Sequence, residues 1–325
     1  MSDVIRPRRG MAVLALAALA GLGLTGCIDS TVPGGEGSVE RTTSRVAAVN
    51  LVNPDRDANT TCQPPAPLDP GAPDPLRILV ADPGLLDALC ALGLQDRVVA
   101  TTTVDGVLPT YLGDAVHSLP TIGDTEDPDT AKAADADADL VLTLGKSPLT
   151  VALGDVPDAS IDPAADWKQR FTAVAAAVGR TEAGNERLQG YLDTAAAIGK
   201  RNGARFTQVS LVQFTADSTV VMGTDTFAAR VLTDVGAQRP PGQREPGPTV
   251  LDDKNFEIAD GDIVYIGFDG PEGQDHGTSV LESDRWLDMG APGWGRTRIV
   301  EDQVWFGTGG LCAANIVLLN LRGSL

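Results

Sequence analysis

The apolar positions of this 325-residue chain fall into short continuous runs that alternate with amphipathic stretches. Arg77-Ile78-Leu79-Val80-Ala81 has the length of a buried strand, and Asp82-Pro83-Gly84 turns it into Leu85–Leu92, a helical pattern closed by Gly93. Val98–Thr102 predicts a second strand, and Asp139–Leu144 a later one ending at Gly145. From about Thr181 to Arg201, Leu188, Tyr191, Leu192, Ala195 and Ala196 recur at three- and four-residue intervals, which gives a helix one apolar face. Lys200 and Arg201 suit its C-terminal dipole and Asn202-Gly203 supplies a stop. Such a helix spans roughly 30 Å, the width of a small domain. Alternation then resumes through Gln208–Phe214, Thr219–Met222, Phe227–Val235 and Asp262–Phe268. Thr297–Val300 and Gln303–Phe306 flank Glu301-Asp302 and predict a hairpin, followed by a last helix over about Gly310–Leu321. Strands alternating with helices predict parallel sheets, so the fold class is α/β: two doubly wound lobes joined by one long helix.

The N-terminus has a different pattern. Arg6, Arg8 and Arg9 precede Met11–Leu24, an unbroken apolar run equivalent to about 21 Å of helix, too short for a hydrocarbon core of roughly 30 Å. A charged region before so short an apolar one reads as an export signal, not a span. It ends in Leu24-Thr25-Gly26-Cys27, which resembles a bacterial lipobox and implies cleavage before Cys27 and a lipid on its sulfur. Residues 1–26 are therefore expected as a signal peptide, with the chain exported and lipid-anchored to the outer face of the cytoplasmic membrane. Twelve Gly or Pro among residues 28–75 predict a flexible tether over 27–75. The remaining boundaries are an N-terminal lobe over 76–180, a connecting helix over 181–203 and a C-terminal lobe over 204–325.

Export changes the reading of the cysteines, since Cys62, Cys90 and Cys312 then meet an oxidising compartment. Three thiols allow one bridge and one leftover. Pairing Cys62 with Cys90 would tie down the Pro-rich segment by closing a loop of about 28 residues. Cys312, opening the apolar Ala313–Leu321 run, reads as a small buried hydrophobe.

Charge narrows function. Lys and Arg total 25 against 44 Asp and Glu, a net charge of −19, and loss of residues 1–26 would take it to −21. That field repels phosphate backbones and argues against nucleic acid. Only two histidines, His117 and His276, are present, so a His-rich metal site is not expected. No G-x-S-x-G elbow or H-E-x-x-H motif occurs, which argues against catalysis. Asp124, Glu126, Asp127 and Asp129 lack the spacing of a calcium loop. No cofactor or bound metal is expected.

Several segments, in order, match one family. Arg77–Val80 with Leu89-Cys90-Ala91-Leu92-Gly93-Leu94-Gln95-Asp96-Arg97-Val98-Val99 resembles the opening of the helical-backbone (class III) substrate-binding proteins of ABC importers. Asp137–Leu142 and Asp260–Tyr265 resemble a strand of each of its lobes, and Val300–Phe306 followed by Gly307-Thr308-Gly309-Gly310 its closing hairpin and helix. Cys62, Asp87–Gln95, Arg239-Pro240-Pro241 and Asp302–Trp305 are similar to actinobacterial FecB-type iron-siderophore and haem-binding lipoproteins. The resemblance covers about residues 76–325. It implies a monomer that binds an iron-siderophore, haem or cobalamin in the cleft between lobes, for uptake and without catalysis.

In that family the ligand lies on loops at the C-terminal ends of the strands, as open α/β sheets generally arrange. This placement selects Asp82, Thr102, Lys146, Trp167, Phe214, Phe268 and Trp305, the aromatics by stacking. Trp305 in an alternating hairpin could face either cleft or core. Arg239 and Arg244 would supply cations for an anionic ligand. The resemblance also implies an acidic residue on the first helix of each lobe that docks an ABC permease. Asp87 occupies that position in the first lobe, whereas Arg230 stands there in the second. A cation facing permease cations is unfavourable, which keeps a role with other envelope proteins as the alternative.

Overall fold

The computed structural model describes residues 49–325. The signal peptide, Cys27 and the first part of the expected tether lie outside the described residues. Among the described residues no helix is long and apolar enough to cross a membrane.

The described chain begins with a short strand, β1 (Asn50–Leu51), that belongs to the far lobe: it pairs in parallel with Arg298 and Ile299. The chain then passes to the N-terminal lobe, where the expected Cys62–Cys90 disulfide forms. There Gln63 N–H donates to the Cys90 carbonyl at 3.0 Å and Ala66 N–H to the Leu92 carbonyl at 2.8 Å. The Asp69 carboxylate accepts from Thr181 N–H, and Arg180 donates to the Ala66 carbonyl and the Asp74 carboxylate. The expected tether is thus overturned for residues 49–75, which form a strap across both lobes. Beyond β1 and a single helical turn at Ala58–Thr60, its prolines limit regular structure but not packing, because side chains and backbone of the lobes satisfy its polar groups.

The N-terminal sheet comprises β2 (Ile78–Val80), β3 (Val98–Thr103), β4 (Thr121–Asp124), β5 (Leu140–Leu144) and β6 (Asp158–Ile161). All are parallel, in the order β4-β3-β2-β5-β6. The continuous apolar character of β2 and β5 fits their central places, covered on both faces. After β2, Asp82 caps the turn by accepting from Gly84 N–H at 2.8 Å, and α1 (Leu86–Leu92) follows, buried along its whole length. Gly93 ends it in the left-handed region at φ 69°, where a Cβ would strike the backbone of Gln63 and Pro64. Short helices α2 (Asp114–His117), α3 (Thr130–Asp135) and α4 (Pro148–Ala152) link the outer strands.

Two helices lead out of this lobe. Asp166 and Gln169 form a capping box for α5 (Trp167–Ala177). The long α6 (Thr181–Asn202) then runs to the second lobe, burying Ala183, Gly184, Tyr191, Ala195, Ile198 and Gly199. The small residues let neighbours come close: Gly184 meets the Ala175 methyl, and Gly199 lies against the Val235 carbonyl.

The C-terminal sheet has the order β1-β11-β10-β7-β8-β9. β7 (Val209–Phe214), β10 (Ile263–Phe268) and β11 (Thr297–Ile299) run parallel, while β8 (Thr219–Val221) is antiparallel to β7 and to β9 (Thr249–Val250). Helix α7 (Phe227–Val235) leaves β8, and α8 (Gly270–Leu281), α9 (Asp284–Leu287) and α10 (Gly290–Gly293) connect β10 to β11. The expected hairpin over 297–306 does not form. Glu301 starts a one-turn helix, α11 (Asp302–Trp305), and Phe306 N–H donates to the Asp302 carbonyl at 2.8 Å. The last helix, α12 (Leu311–Ser324), packs against α1, α6 and α7. One apolar core therefore continues from lobe to lobe through α1, α5, α6, α7 and α12.

Candidate functional site

The C-terminal strand ends of the two lobes meet over the loop between α11 and α12. From the N-terminal lobe, a Cβ built on Gly84 would lie 3.0 Å from Asp82 Oδ1 and 3.2 Å from Thr308 Oγ1. Arg170, one turn into α5, donates from Nη2 to the Thr308 carbonyl at 2.8 Å. Its Nε is buried and has no hydrogen-bond partner. From the C-terminal lobe, the Phe306 ring covers Gly267 of β10, leaving no room there for a Cβ. The Gln213 amide of β7 donates to both Asp302 carboxylate oxygens, at 2.9 and 3.2 Å. One wall is closed by Thr110, whose N–H and hydroxyl donate to Gln303 Oε1 at 3.0 and 2.8 Å, and by the Arg56–Glu301 ion pair at 2.7 Å.

This floor is polar and partly desolvated. Burial raises the pKa of Asp82, against the Gly84 N–H and the nearby charge of Arg170, which lower it. Burial likewise raises Asp302, with Asp269 adding repulsion and the Gln213 amide opposing both. The site thus combines two reluctant carboxylates, one half-buried guanidinium, an amide and the half-buried phenyl ring of Phe306, whereas Phe268 lies on the other face of β10, stacked on Phe214 at 5.7 Å. Lys146, exposed after β5, makes no ion pair among the described residues. Such a set can hydrogen-bond and stack on a chelate but offers no nucleophile and base in contact. Among the described residues no cluster of three or more His, Cys, Asp or Glu could hold a metal ion.

Of the residues selected from sequence, Asp82 and Lys146 lie at the strand ends facing this region; Phe268 and six others do not serve it, and Asp87 is corrected as well. Trp305 is 1% exposed, stacked on Tyr265 at 4.5 Å, with Nε1–H donating to Asn320 Oδ1 at 2.9 Å. Trp167 is 3% exposed and meets Tyr191 and Phe227 edge-on, so it is core rather than cleft. Phe214 is fully buried between Phe268 and Trp286. Thr102 is buried with its hydroxyl 3.0 Å from that of Thr125. Arg239 is spent on structure: it donates to the carbonyls of Val209 and Met222 and to Gln243 Oε1, each at 2.6 Å. Burial pulls its pKa down to about 10. Arg244 is exposed, donates to the Arg239 carbonyl at 3.1 Å, and lies with it at the end of β7 opposite the cleft. Asp87, expected to dock a permease, is 1% exposed and bonded to the first turn of α12.

Sequence reading missed Arg170, Gln213, Asp302 and Phe306. A helical reading of Asp302–Phe306 would have placed Trp305 inward and Phe306 on the cleft, but so short a segment cannot separate a period of 2 from one of 3.6. Nothing in the sequence around Arg170 distinguishes it from an ordinary surface arginine of a helix.

No family profile matches the chain. It is 24% identical over 265 residues to a probable siderophore-binding lipoprotein, YfiY of Bacillus subtilis, covering 75% of this chain and 81% of that protein. Its fold is that of SirA of Staphylococcus aureus, with a TM-score of 0.65 and 18% identity over 77% of this chain and 98% of SirA. The same fold appears in FhuD2 of Staphylococcus aureus, solved with bound ferrioxamine B, at a TM-score of 0.63 and 19% identity over 78% and 98% of the two chains. The likeness to siderophore-binding proteins read from the sequence is shown at the level of the fold.

Proposed function

We propose that this chain binds a ferric siderophore in the cleft above Asp82, Arg170, Phe306 and Thr308 and serves its uptake without catalysis. It would do so as a lipoprotein attached through Cys27 outside the cytoplasmic membrane, delivering to an ABC permease. The observation that carries this reading is the cleft floor, where the loop after α11 holds the half-buried Arg170 guanidinium on the Thr308 carbonyl on one side and the Phe306 ring and Gln213 amide on the other. A siderophore completes the coordination of its iron, so the protein need only recognise the outside of the complex by charge, hydrogen bonds and stacking. A histidine axial ligand for haem is not at this floor: His276 Nε2 is 3.1 Å from the Thr219 hydroxyl, and His117 is exposed in α2. The sequence likeness to a siderophore-binding lipoprotein supports the same choice.

The test is calorimetric titration of the chain beginning at Cys27 with ferric triscatecholate, hydroxamate and carboxylate siderophores, haem and cobalamin. Saturation at micromolar or tighter affinity by a ferric siderophore is expected, weakened roughly tenfold in Arg170→Ala, as loss of a charge-assisted hydrogen bond implies. Saturation by haem or cobalamin alone, or by no ligand, would overturn the proposal. A second reading, a partner of other envelope proteins, draws support from Asp87, which is sealed inside the fold and cannot meet a permease.

A further inference from the structure

The pole of the C-terminal lobe opposite the cleft carries a face of different character. An open groove of about 540 Å³ is bounded there by Phe206, Asp262, Arg296, Arg298 and Leu325, and a smaller one adds Trp294 while sharing Asp262 and Arg296. Phe206, Asp262 and Arg296 precede β7, β10 and β11, Arg298 lies within β11 and Leu325 follows α12, so the groove sits at the strand ends remote from Phe306. Phe206 is 75% exposed and Trp294 77%, unusual for large rings on a protein surface. Each is overlain by a guanidinium: Arg205 is 4.4 Å from the Phe206 ring centre, and Arg296 is 5.6 Å from that of Trp294.

Cations gather at the same pole. The last turn of α6 adds Lys200 and Arg201 and that of α12 adds Arg322, the two ends joined by Asn202 Nδ2 donating to the Leu321 carbonyl at 3.1 Å. Among the described residues, neither these three nor Arg205, Arg296 and Arg298 form an ion pair. The carboxylate lining the groove, Asp262, accepts from Gln208 N–H at 2.7 Å. Six such cations in a chain of net charge −19 are a strong local departure, and a Debye length of about 8 Å lets the patch act independently of the whole. The described chain also enters the fold here: Asn50 of β1 is paired with Arg298. Only the segment from Cys27 to Val49 separates this face from the expected lipid, a reach of at most about 75 Å.

We propose that this face docks on an anionic phospholipid surface, its cations meeting headgroup phosphates and its two rings entering the interfacial layer. Docked this way, the protein holds its cleft away from the membrane and open to the exterior. The charge and the rings carry the proposal independently of the siderophore reading.

The test uses the chain beginning at Cys27 with Cys27→Ser, so that no lipid contributes. Vesicles of phosphatidylcholine are compared with equimolar phosphatidylcholine and phosphatidylglycerol, some with brominated acyl chains. Trp167, Trp286 and Trp305 are buried, so quenching by bromine reports Trp294. Expected are binding at least about tenfold tighter to the anionic vesicles, loss at high salt, quenching that Trp294→Phe removes, and about tenfold weaker binding by Arg205→Glu/Arg296→Glu. Cleft ligand affinity should be unchanged in these variants. Equal binding to both vesicles, or wild-type binding by the charge-reversed variant, overturns the proposal. Self-association of the chain through this face, abolished by the same variant and without vesicle binding, overturns it in favour of a second copy.

Discussion

Asp87 and Cys312 are 225 residues apart, yet Asp87 Oδ1 accepts the Cys312 N–H at 2.9 Å. Oδ2 accepts from Ala313 N–H and from the Tyr111 hydroxyl, both at 3.0 Å. A carboxylate of the N-terminal lobe therefore caps the last helix of the C-terminal one, satisfying donors a helix start leaves open. Gly310 is required beside it, because a Cβ there would overlap the carboxylate.

The pH dependence of this cap has a definite sign. Burial raises the pKa of Asp87 although four donors oppose it, the Ala313, Cys312 and Leu311 amides and the Tyr111 hydroxyl, so the folded chain keeps its proton to higher pH than the unfolded one. Its contribution to stability is then fully present below its ordinary value of 3.8 and is lost as pH rises through the folded value. Asp87→Asn cannot titrate. We expect it to be less stable by about 1–3 kcal/mol, the difference being widest at the acid end and narrowing with pH. Urea unfolding of both proteins at a series of pH values measures this. A gap that widens with pH would show that the carboxylate is needed as an anion.

Trp305 and Phe306 are adjacent and should separate stability from binding. Trp305→Ala removes a buried stack and a hydrogen bond, and should cost about 3–5 kcal/mol. Phe306→Ala, which removes a half-buried ring packed on Gly267, should lower Tm much less than Trp305→Ala while weakening ligand binding by up to about tenfold, the scale of one aromatic contact. Melting curves beside titrations of both variants decide it. Weakened binding in Trp305→Phe at unchanged Tm would return Trp305 to the cleft.

What was legible in the sequence follows from how local each signal is. The apolar runs at Ile78–Val80 and Leu140–Leu144 and the one-faced pattern over 181–201 specify strands and a helix by themselves, and both lobes and the joining helix follow from them. The Cys62–Cys90 bridge was legible because the expected export left few choices. Arg239 was not: three carbonyl-type acceptors hold it, and they come from Val209, Met222 and Gln243, brought together only by the completed sheet. The strap was hidden for the same reason. Its composition suggests solvation, and its order comes from acceptors and donors contributed by Cys90, Leu92 and Arg180.

The Cys62–Cys90 bridge ties that strap to α1 and spans 28 residues. In the chain-entropy view a loop of this size contributes about 3–4 kcal/mol. Cys62→Ser/Cys90→Ser should therefore lower Tm by several degrees and expose the segment around Pro64 to proteolysis before the lobes unfold. Limited digestion with and without reductant, read by mass spectrometry, tests both parts. Equal digestion of bridged and unbridged chains would mean that Arg180, Arg187 and Asp69 hold the strap without it.

Three connections between the lobes act against hinge closure. Helix α6 crosses without interruption, and bending it would break backbone hydrogen bonds. Helix α12 is capped from the opposite lobe by Asp87 and packs on both α1 and α7. The strap adds a third, with β1 in the C-terminal sheet, Arg56 on Glu301, and Cys62 bonded to the N-terminal lobe. Closure would have to shear a core that continues from α1 to α12, and close-packed interiors do not deform gradually. We expect ligand binding to change the radius of gyration by little more than side-chain rearrangement allows. Small-angle scattering before and after saturation measures it. A contraction on the scale of domain closure, or one that appears only in Arg56→Ala, would show that the lobes move and that the strap, not the helix, restrains them.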